Sequence, residues 1–189
     1  MNILVTGGAG FIGGHLAEQF ARDGHDVVVL DNFDPYYDRR LKEHNVEVAR
    51  EAASVGEGSY DLVEGDIRDE ELVTDLVNDA DYVYHQAAQA GVRANIEPRK
   101  YHTVNVDGTL NVLDAARETD LERFVFASSS SIYGKARYLP YDEEHLTEPV
   151  SPYGASKLAA ERYAMVYADQ YDVPAVALRY FTVYGPRMR

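Results

Sequence analysis

Residues 2–14 read Asn-Ile-Leu-Val-Thr-Gly-Gly-Ala-Gly-Phe-Ile-Gly-Gly, an apolar run that breaks into glycines and then resumes with helical spacing. The pattern predicts a strand, a tight turn and a helix. An early glycine such as Gly7 makes the turn, Gly10 lets backbone amides approach a pyrophosphate, and Gly13 lets the helix pack close to the strand. The free N–H groups at the helix N-terminus then face the anion. The stretch therefore predicts a dinucleotide-binding loop, against the alternative of an ordinary strand-to-helix turn.

An acidic residue, Asp31, follows the next apolar run, about 20 residues beyond the glycines, where dinucleotide-binding proteins place a ribose-binding carboxylate. A carboxylate there can accept both ribose hydroxyls of NAD and would repel a 2′-phosphate. The sequence therefore favours NAD over NADP, and the alternative reading is an exposed turn acid. Arg39 and Arg40 are close enough in sequence to leave NADP open.

The length and composition predict a single domain over residues 1–189. The chain has no cysteine, and its six histidines never fall at metal-pair spacing, so we expect no metal site. No apolar stretch approaches the length of a membrane span, and the first residues lack the features of a signal peptide. We therefore expect a cytoplasmic protein with no membrane partner.

The formal net charge of -14 argues against a nucleic-acid partner, because phosphate binding needs clustered basic residues. The chain holds 4 Lys beside 14 Arg. An acid-rich, lysine-poor surface suits a protein that stays soluble in concentrated salt. A halophilic source is therefore one hypothesis, and an acidic mesophilic protein is the other.

Apolar, β-branched and aromatic runs alternate along the chain with segments of helical periodicity. The predicted strands are Ile3–Thr6, Val27–Leu30, Tyr60–Val63, Tyr82–His85, Phe124–Ala127 and Ala175–Leu178. The predicted helices are Phe11–Arg22, Tyr37–Glu51, Glu70–Val77, Pro98–Glu118 and Pro152–Tyr171. Short apolar strands are typical of a sheet buried on both faces. The sequence thus predicts an α/β fold, a doubly wound parallel sheet with helices on both faces.

Ligands bind beyond the carboxyl ends of the strands in such a sheet, so the loops after the strands are the places to search for chemistry. The loop at 65–69 indicates a structural turn acid and a helix cap. His85 is better explained as a packed histidine at a strand end than as a catalyst. The small residues at 86–91 could lie against a flat cofactor, with Asn105 as a polar contact. Four consecutive serines, Ser128–Ser131, precede a long polar segment that indicates a substrate-facing loop.

The last predicted helix opens with Ser151 as N-cap and Pro152 at its first position. Tyr153 and Lys157 are four residues apart and therefore share a helical face. A free tyrosine titrates near pH 10, too high for a general base at neutral pH. A neighbouring ammonium and the positive end of a helix would lower that pKa. We therefore predict that Tyr153 is a general base with a lowered pKa.

Together these stretches resemble the extended short-chain dehydrogenase/reductases, specifically the NAD-dependent nucleotide-sugar epimerases and dehydratases. The resemblance runs through the whole chain. It rests on Thr6–Gly13, Asp66-Ile67, His85–Ala88, Asn105–Thr109, Ser128–Gly134 and Tyr153–Lys157. It implies a Rossmann-type domain, NAD as cofactor, a UDP-sugar as substrate and a homodimer.

The resemblance also implies roles for individual residues. The implied catalytic residues are Ser129, Tyr153 and Lys157. The implied cofactor-binding residues are Gly7, Gly10, Phe11, Ile12, Gly13, Asp31, Asn32, Asp66, Ile67, Ala87, Ala88, Asn105 and Lys157, with Asp31 on the adenosine ribose and Asp66-Ile67 at the adenine. The implied substrate-binding residues are Ser129, Ser130, Tyr153, Thr182 and Arg189.

The residues after Ser129 narrow the choice of reaction and of substrate. Related dehydratases carry acidic residues in the next two places, and the UDP-glucuronate decarboxylases carry a Glu in the second. This chain has Ser130 and Ser131 there, so the resemblance favours 4-epimerisation by transient oxidation at C4. Residues 31–37, 89–93 and 181–187 resemble the UDP-glucuronate 4-epimerases. Thr182, Ser130 and Arg189 could hold a hexuronate carboxylate. The alternative is a UDP-glucose/UDP-galactose 4-epimerase.

One departure from the family concerns length. Family members continue past the Tyr-Gly-Pro motif at 184–186 with a further strand and a C-terminal substrate lobe, which is missing from this chain. We therefore keep a second hypothesis from a different class, an NAD-binding module without catalytic activity.

Overall fold

The computed structural model describes residues 1–91 and 96–188. Its strands are Asn2–Thr6 (β1), Asp26–Asp31 (β2), Ser59–Glu64 (β3), Tyr82–His85 (β4), Arg123–Ser129 (β5) and Ala175–Tyr180 (β6). Its α-helices are Phe11–Arg22 (α1), Arg39–Val55 (α2), Glu70–Asn78 (α3), Pro98–His102 (α4), Gly108–Arg117 (α5) and Pro152–Tyr171 (α6). A π-helical segment, Thr103–Asp107, joins α4 to α5, and a 3₁₀ turn, Ser130–Ile132, follows β5.

The six strands form one parallel sheet in the order β3-β2-β1-β4-β5-β6. The order reverses between β1 and β4, and the loops after these two strands diverge there to opposite sides. This is the crevice in which doubly wound sheets bind ligands. The predicted fold class is confirmed.

Side chains that alternate along β1 divide the core into two layers. Ile3 and Val5 pack with Ala17 of α1 and Ala49 of α2 on one face. Leu4 packs on the other face in a larger cluster with residues of α3, α5 and α6, including Val112. The helices therefore cover both faces of the sheet, as the apolar runs predict. The edge strands β3 and β6 differ from the inner strands because none of their residues is fully buried, whereas each inner strand has fully buried residues.

Two predicted helices have different bounds in the structure. The second begins at Arg39 because the Asp38 side chain caps it, accepting a hydrogen bond from the Arg40 backbone N–H. The helix predicted over 98–118 is broken by the π-helical segment. A π-turn inserts an extra residue into the helical ladder, which local periodicity does not reveal.

Candidate active site

The glycine loop has the backbone geometry that its sequence predicts. Gly7 has a φ of 69°, a conformation that favours glycine. A Cβ at Gly13 would lie 2.4 Å from the Gly7 carbonyl oxygen, so only glycine lets α1 start this close to the loop. Gly10 is the N-cap of α1, and among the described residues no side chain caps this helix. The N–H groups of its first turn are therefore available to an anion.

A cavity of about 390 Å³ opens at the carboxyl ends of the strands, in front of this loop. Most of the predicted site residues line it. They are Gly7, Gly10, Phe11, Ile12, Gly13, Asp31, Asn32, Ile67, Ala87, Ala88, Ser129, Tyr153 and Lys157. Four of the predicted residues that the structure describes stand outside the lining: Asp66, Asn105, Ser130 and Thr182. Arg189 lies outside the described residues.

Asn105, predicted to line the cofactor, is buried and is not among the residues that line the cavity. Its Oδ1 accepts a hydrogen bond of 2.7 Å from the Gln89 backbone N–H, and its Nδ2 donates to Gln89 O and to Ser156 Oγ. Gln89 belongs to the loop after β4 and itself lines the cavity. Asn105 therefore positions this loop against α6, and its side chain reaches the loop because the π-helical segment carries it.

Asp66 has its carboxylate turned toward neighbouring protein donors and does not line the cavity. Arg68 donates to both of its oxygens from Nε and Nη2, and Asn32 Nδ2 donates to Oδ2 at 2.8 Å. The hydrogen bonds from Arg68 hold the pKa of Asp66 well below its usual range, although partial burial opposes them. Asp66 thus orients Asn32 and Arg68, which do line the cavity.

Asp31 is buried at the end of β2 rather than exposed in a turn. Its Oδ1 accepts from the Phe33 N–H at 2.8 Å and from Lys42 Nζ at 2.9 Å, and its Oδ2 accepts from the Ala9 N–H at 3.2 Å. The Asp31 carboxylate is therefore held rigidly beside the glycine loop. Lys42 also lines the cavity and was not identified from the sequence.

A directional hydrogen-bond chain joins the glycine loop to the helices on the far face of the sheet. Thr109 Oγ1 donates to Asn105 O, so it accepts from His85 Nε2 at 3.0 Å. This assigns the Nε2–H tautomer, and His85 Nδ1 accepts from Thr6 Oγ1 at 2.7 Å. Burial, with a smaller contribution from the charge of Lys157, lowers the pKa of His85 to about 3. His85 is a neutral structural histidine, as expected.

Ser129, Tyr153 and Lys157 meet at one wall of the cavity. Ser129 ends β5, and Tyr153 and Lys157 are on the first turns of α6, which Ser151 caps by accepting from the Gly154 N–H at 3.0 Å. Lys157 is fully buried, with Nζ 4.3 Å from the Phe126 ring centroid. Burial lowers the pKa of Lys157 to about 7, against the raising effect of the Glu161 carboxylate.

The direction of the Tyr153 pKa shift is opposite to our prediction. Burial raises the pKa of Tyr153, and a hydrogen bond with Ser129 opposes that effect only in part. Desolvation of the phenolate is the largest cause, and burial also disfavours the charged form of the neighbouring Lys157. In this structure Tyr153 is a neutral phenol that hydrogen-bonds with Ser129.

Glu161, one helical turn after Lys157, forms a buried ion pair that the sequence did not reveal. Arg179 Nη2 donates to Glu161 Oε1 at 2.8 Å, and Ser128 Oγ donates to Glu161 Oε2 at 2.5 Å. Arg179 Nη1 also donates to Tyr133 Oη at 2.8 Å. The pair therefore ties β5 and β6 to α6 directly beside Ser129 and Lys157. Its residues belong to separate segments, so no local pattern indicates it.

Neither of the described ranges, 1–91 and 96–188, contains three or more His, Cys, Asp or Glu side chains grouped so that they could hold a metal ion. No helix within them has both the length and the apolar character of a membrane span.

Comparisons with known proteins identify the family of the chain. The sequence model of the NAD dependent epimerase/dehydratase family matches residues 3–189. A putative UDP-glucose 4-epimerase of Methanocaldococcus jannaschii is 40% identical over 188 residues, which are 98% of this chain and 57% of the relative. UDP-glucuronate 4-epimerase 4 of Arabidopsis thaliana is 41% identical over 191 residues, 98% of this chain and 42% of the relative.

A solved structure with the same fold is UDP-glucuronic acid 4-epimerase from Bacillus cereus in complex with UDP-glucuronic acid and NAD. It superimposes with a TM-score of 0.90 at 38% identity, covering 100% of this chain and 59% of that one. The chain thus spans roughly half the length of the proteins it matches.

Proposed function

Since the chain belongs to the NAD dependent epimerase/dehydratase family, we propose that the whole protein is an NAD-dependent nucleotide-sugar 4-epimerase that favours UDP-glucuronate. The observation that carries the proposal is that Ser129, Tyr153 and Lys157 line the same cavity as the glycine loop. A hydroxyl, a phenol and a buried amine in that position suit proton transfer at a sugar hydroxyl.

The residues that line the cavity fit NAD. The uncapped first turn of α1 can bind the pyrophosphate, and the rigid Asp31 carboxylate can accept from the adenosine ribose. The small residues Ala87 and Ala88 leave room for a flat ring beside the backbone. When bound, NAD supplies the reversible hydride acceptor that epimerisation at C4 requires.

Tyr153 Oη exchanges the proton of the sugar 4-hydroxyl, and Ser129 Oγ holds the same oxygen by a hydrogen bond. Since burial raises the pKa of Tyr153, a positive charge close to its hydroxyl is needed to make it a base near neutral pH. Lys157, one helical turn further along α6, would supply such a charge in its protonated form. Ser129 is anchored for its role because its Oγ also accepts from the Ser131 N–H at 3.1 Å.

The preference for UDP-glucuronate is the finer part of the proposal. We assign Ser130, Thr182 and Arg189 to the hexuronate carboxylate. The absence of an acid at 130 and 131 supports epimerisation over elimination, and glucuronate 4-epimerases occur among both the curated relatives and the solved structures. The competing substrate is UDP-glucose, which the name of the Methanocaldococcus relative favours.

The test is to give the whole protein UDP-glucuronate or UDP-glucose and to quantify the C4 epimer by NMR. We expect kcat/KM to be about tenfold to a hundredfold higher for UDP-glucuronate, the ratio that one charged hydrogen bond supplies. Arg189→Met should reduce that ratio. A higher kcat/KM for UDP-glucose would replace the glucuronate assignment with the glucose one.

Tyr153→Phe tests the catalytic assignment separately. Turnover should fall about a hundredfold or more, which is the scale of general acid–base catalysis. NAD affinity, measured by calorimetry, should stay close to that of the unaltered protein. Full turnover in this variant would remove Tyr153 from its role.

The homodimer, the cytoplasmic location and the halophilic source stay predictions. Exposed apolar side chains on α6, Tyr163 and Val166, are compatible with a subunit contact on that helix. Sedimentation of the whole protein at low and at molar KCl measures both its oligomeric state and its dependence on salt. A monomer at every salt concentration would contradict the predicted dimer.

A further inference from the structure

Lys42 and Asp31 form a buried ion pair at the adenosine end of the proposed cofactor site. Their side chains are 8% and 5% exposed, and the Lys42 Nζ to Asp31 Oδ1 distance is 2.9 Å. The aromatic rings of Phe33 and Tyr37 flank the ammonium, with centroids 5.8 and 5.5 Å from Nζ. Both members of the pair line the cavity.

The hydrogen bonds of Asp31 restrict how many ligand groups its carboxylate can bind. A carboxylate has about four acceptor sites, two on each oxygen. Phe33 N–H and Lys42 Nζ occupy Oδ1, and Ala9 N–H occupies one site on Oδ2. One site on Oδ2 is left for a ribose hydroxyl. The Lys42 ammonium has three donors, and Asp31 uses one of them.

Arg39 and Arg40, the two arginines that precede Lys42 in the sequence, are held by acids of their own. Arg39 pairs with Glu43 and Glu64. Arg40 pairs with Asp38, with a side chain that is 86% exposed. Lys42 differs because its partner, Asp31, is the residue that would hydrogen-bond with the ribose.

We infer that Lys42, rather than Arg39 or Arg40, governs how the chain discriminates between NAD and NADP. With Asp31 present, the ammonium is engaged in the ion pair, and the remaining carboxylate acceptor site can take a hydroxyl hydrogen but has no hydrogen to donate to a 2′-phosphate. Without the Asp31 charge, the same ammonium stands free beside the position of the 2′-oxygen and binds a 2′-phosphate as a charge-assisted donor. This inference rests on the proposed cofactor site.

The experiment measures the dissociation constants of NAD and NADP by calorimetry for the whole protein and its variants. Asp31→Asn keeps the shape of the side chain and removes its charge. The ratio of the NAD and NADP dissociation constants should shift toward NADP by at least about tenfold, which corresponds to about 1.4 kcal/mol. Adding Lys42→Met should abolish that shift, whereas adding Lys42→Arg should retain most of it because the cation is kept. The control is Asp31→Asn with Arg40→Met, which should behave like Asp31→Asn alone.

A purely structural role of Lys42 predicts a different result. If Lys42→Met in the Asp31→Asn background weakens NAD and NADP by the same factor, the inference is wrong. Circular dichroism melting of each variant shows that the compared proteins are folded, and the Lys42→Arg variant carries the comparison if Lys42→Met does not fold. If the unaltered protein binds neither dinucleotide, the proposed cofactor site is wrong and this assignment with it.

Discussion

His85 should make the stability of this protein sensitive to mild acid. The ring is fully buried between Thr6 and Thr109, and its pKa is lowered to about 3 from an ordinary 6.5. Because its folded-state pKa is depressed, the unfolded chain binds more protons between these two values. The stability that the neutral ring contributes is therefore complete above pH 6.5 and is lost progressively as the pH falls from 6.5 toward 3.

The size of the effect follows from the linkage between protonation and folding. At pH 5 the unfolded chain gains about 2 kcal/mol from protonating His85, since each pH unit below the ordinary histidine pKa contributes about 1.4 kcal/mol. The perturbation is His85→Gln, which removes the titrating ring and keeps an amide able to hydrogen-bond with Thr109. We compare the unfolding free energies of the unaltered protein and the variant. The difference between them should shrink by about 2 kcal/mol between pH 7.5 and pH 5.

The assay is urea unfolding at the two pH values, followed by circular dichroism. Taking the difference between the two proteins cancels the titration of the many surface acids. His102→Gln is the matched control, because the same substitution at an exposed histidine removes no buried contact. Equal pH dependence in the unaltered protein and in His85→Gln would refute the reasoning, because the neutral ring would then contribute nothing to acid sensitivity.

Two further substitutions test the packing of the site. Gly13→Ala should destabilise the protein by about 1–3 kcal/mol and abolish NAD binding, because its Cβ would lie 2.4 Å from Gly7 O. Gly185→Ala is the control and should have neither effect, because its Cβ would lie 3.8 Å from the nearest atom. Urea unfolding measures the stability and calorimetry the NAD affinity, and normal NAD binding by Gly13→Ala would contradict the proposed loop geometry. Arg179→Met should cost about 3–5 kcal/mol in unfolding free energy because it strands the buried Glu161 carboxylate, and adding Glu161→Gln should recover much of the loss; a loss below about 1 kcal/mol for the single variant would show that the pair is not desolvated.

Much of the fold and of the site could be predicted from the sequence because the signals are local. The glycine spacing, the strand that ends at Asp31, and the separation of Tyr153 and Lys157 each depend on a few consecutive residues. The alternation of strands and helices then brings the carboxyl ends of the strands to one edge of the sheet. One cavity is therefore lined by residues that were each predicted from a different stretch of sequence, namely Gly7, Asp31, Ser129 and Tyr153.

The remaining features depend on contacts between distant segments. Asn105 binds the loop after β4 from a π-helical segment, and Lys42 meets Asp31 because the fold brings the first turn of α2 beside the end of β2. The sequence by itself determined which residues carry the chemistry and at which edge of the sheet they gather. Tertiary structure alone decided which of them reach the cavity and the direction in which the Tyr153 pKa moves, because burial and charge pairing are set by side chains from separate elements.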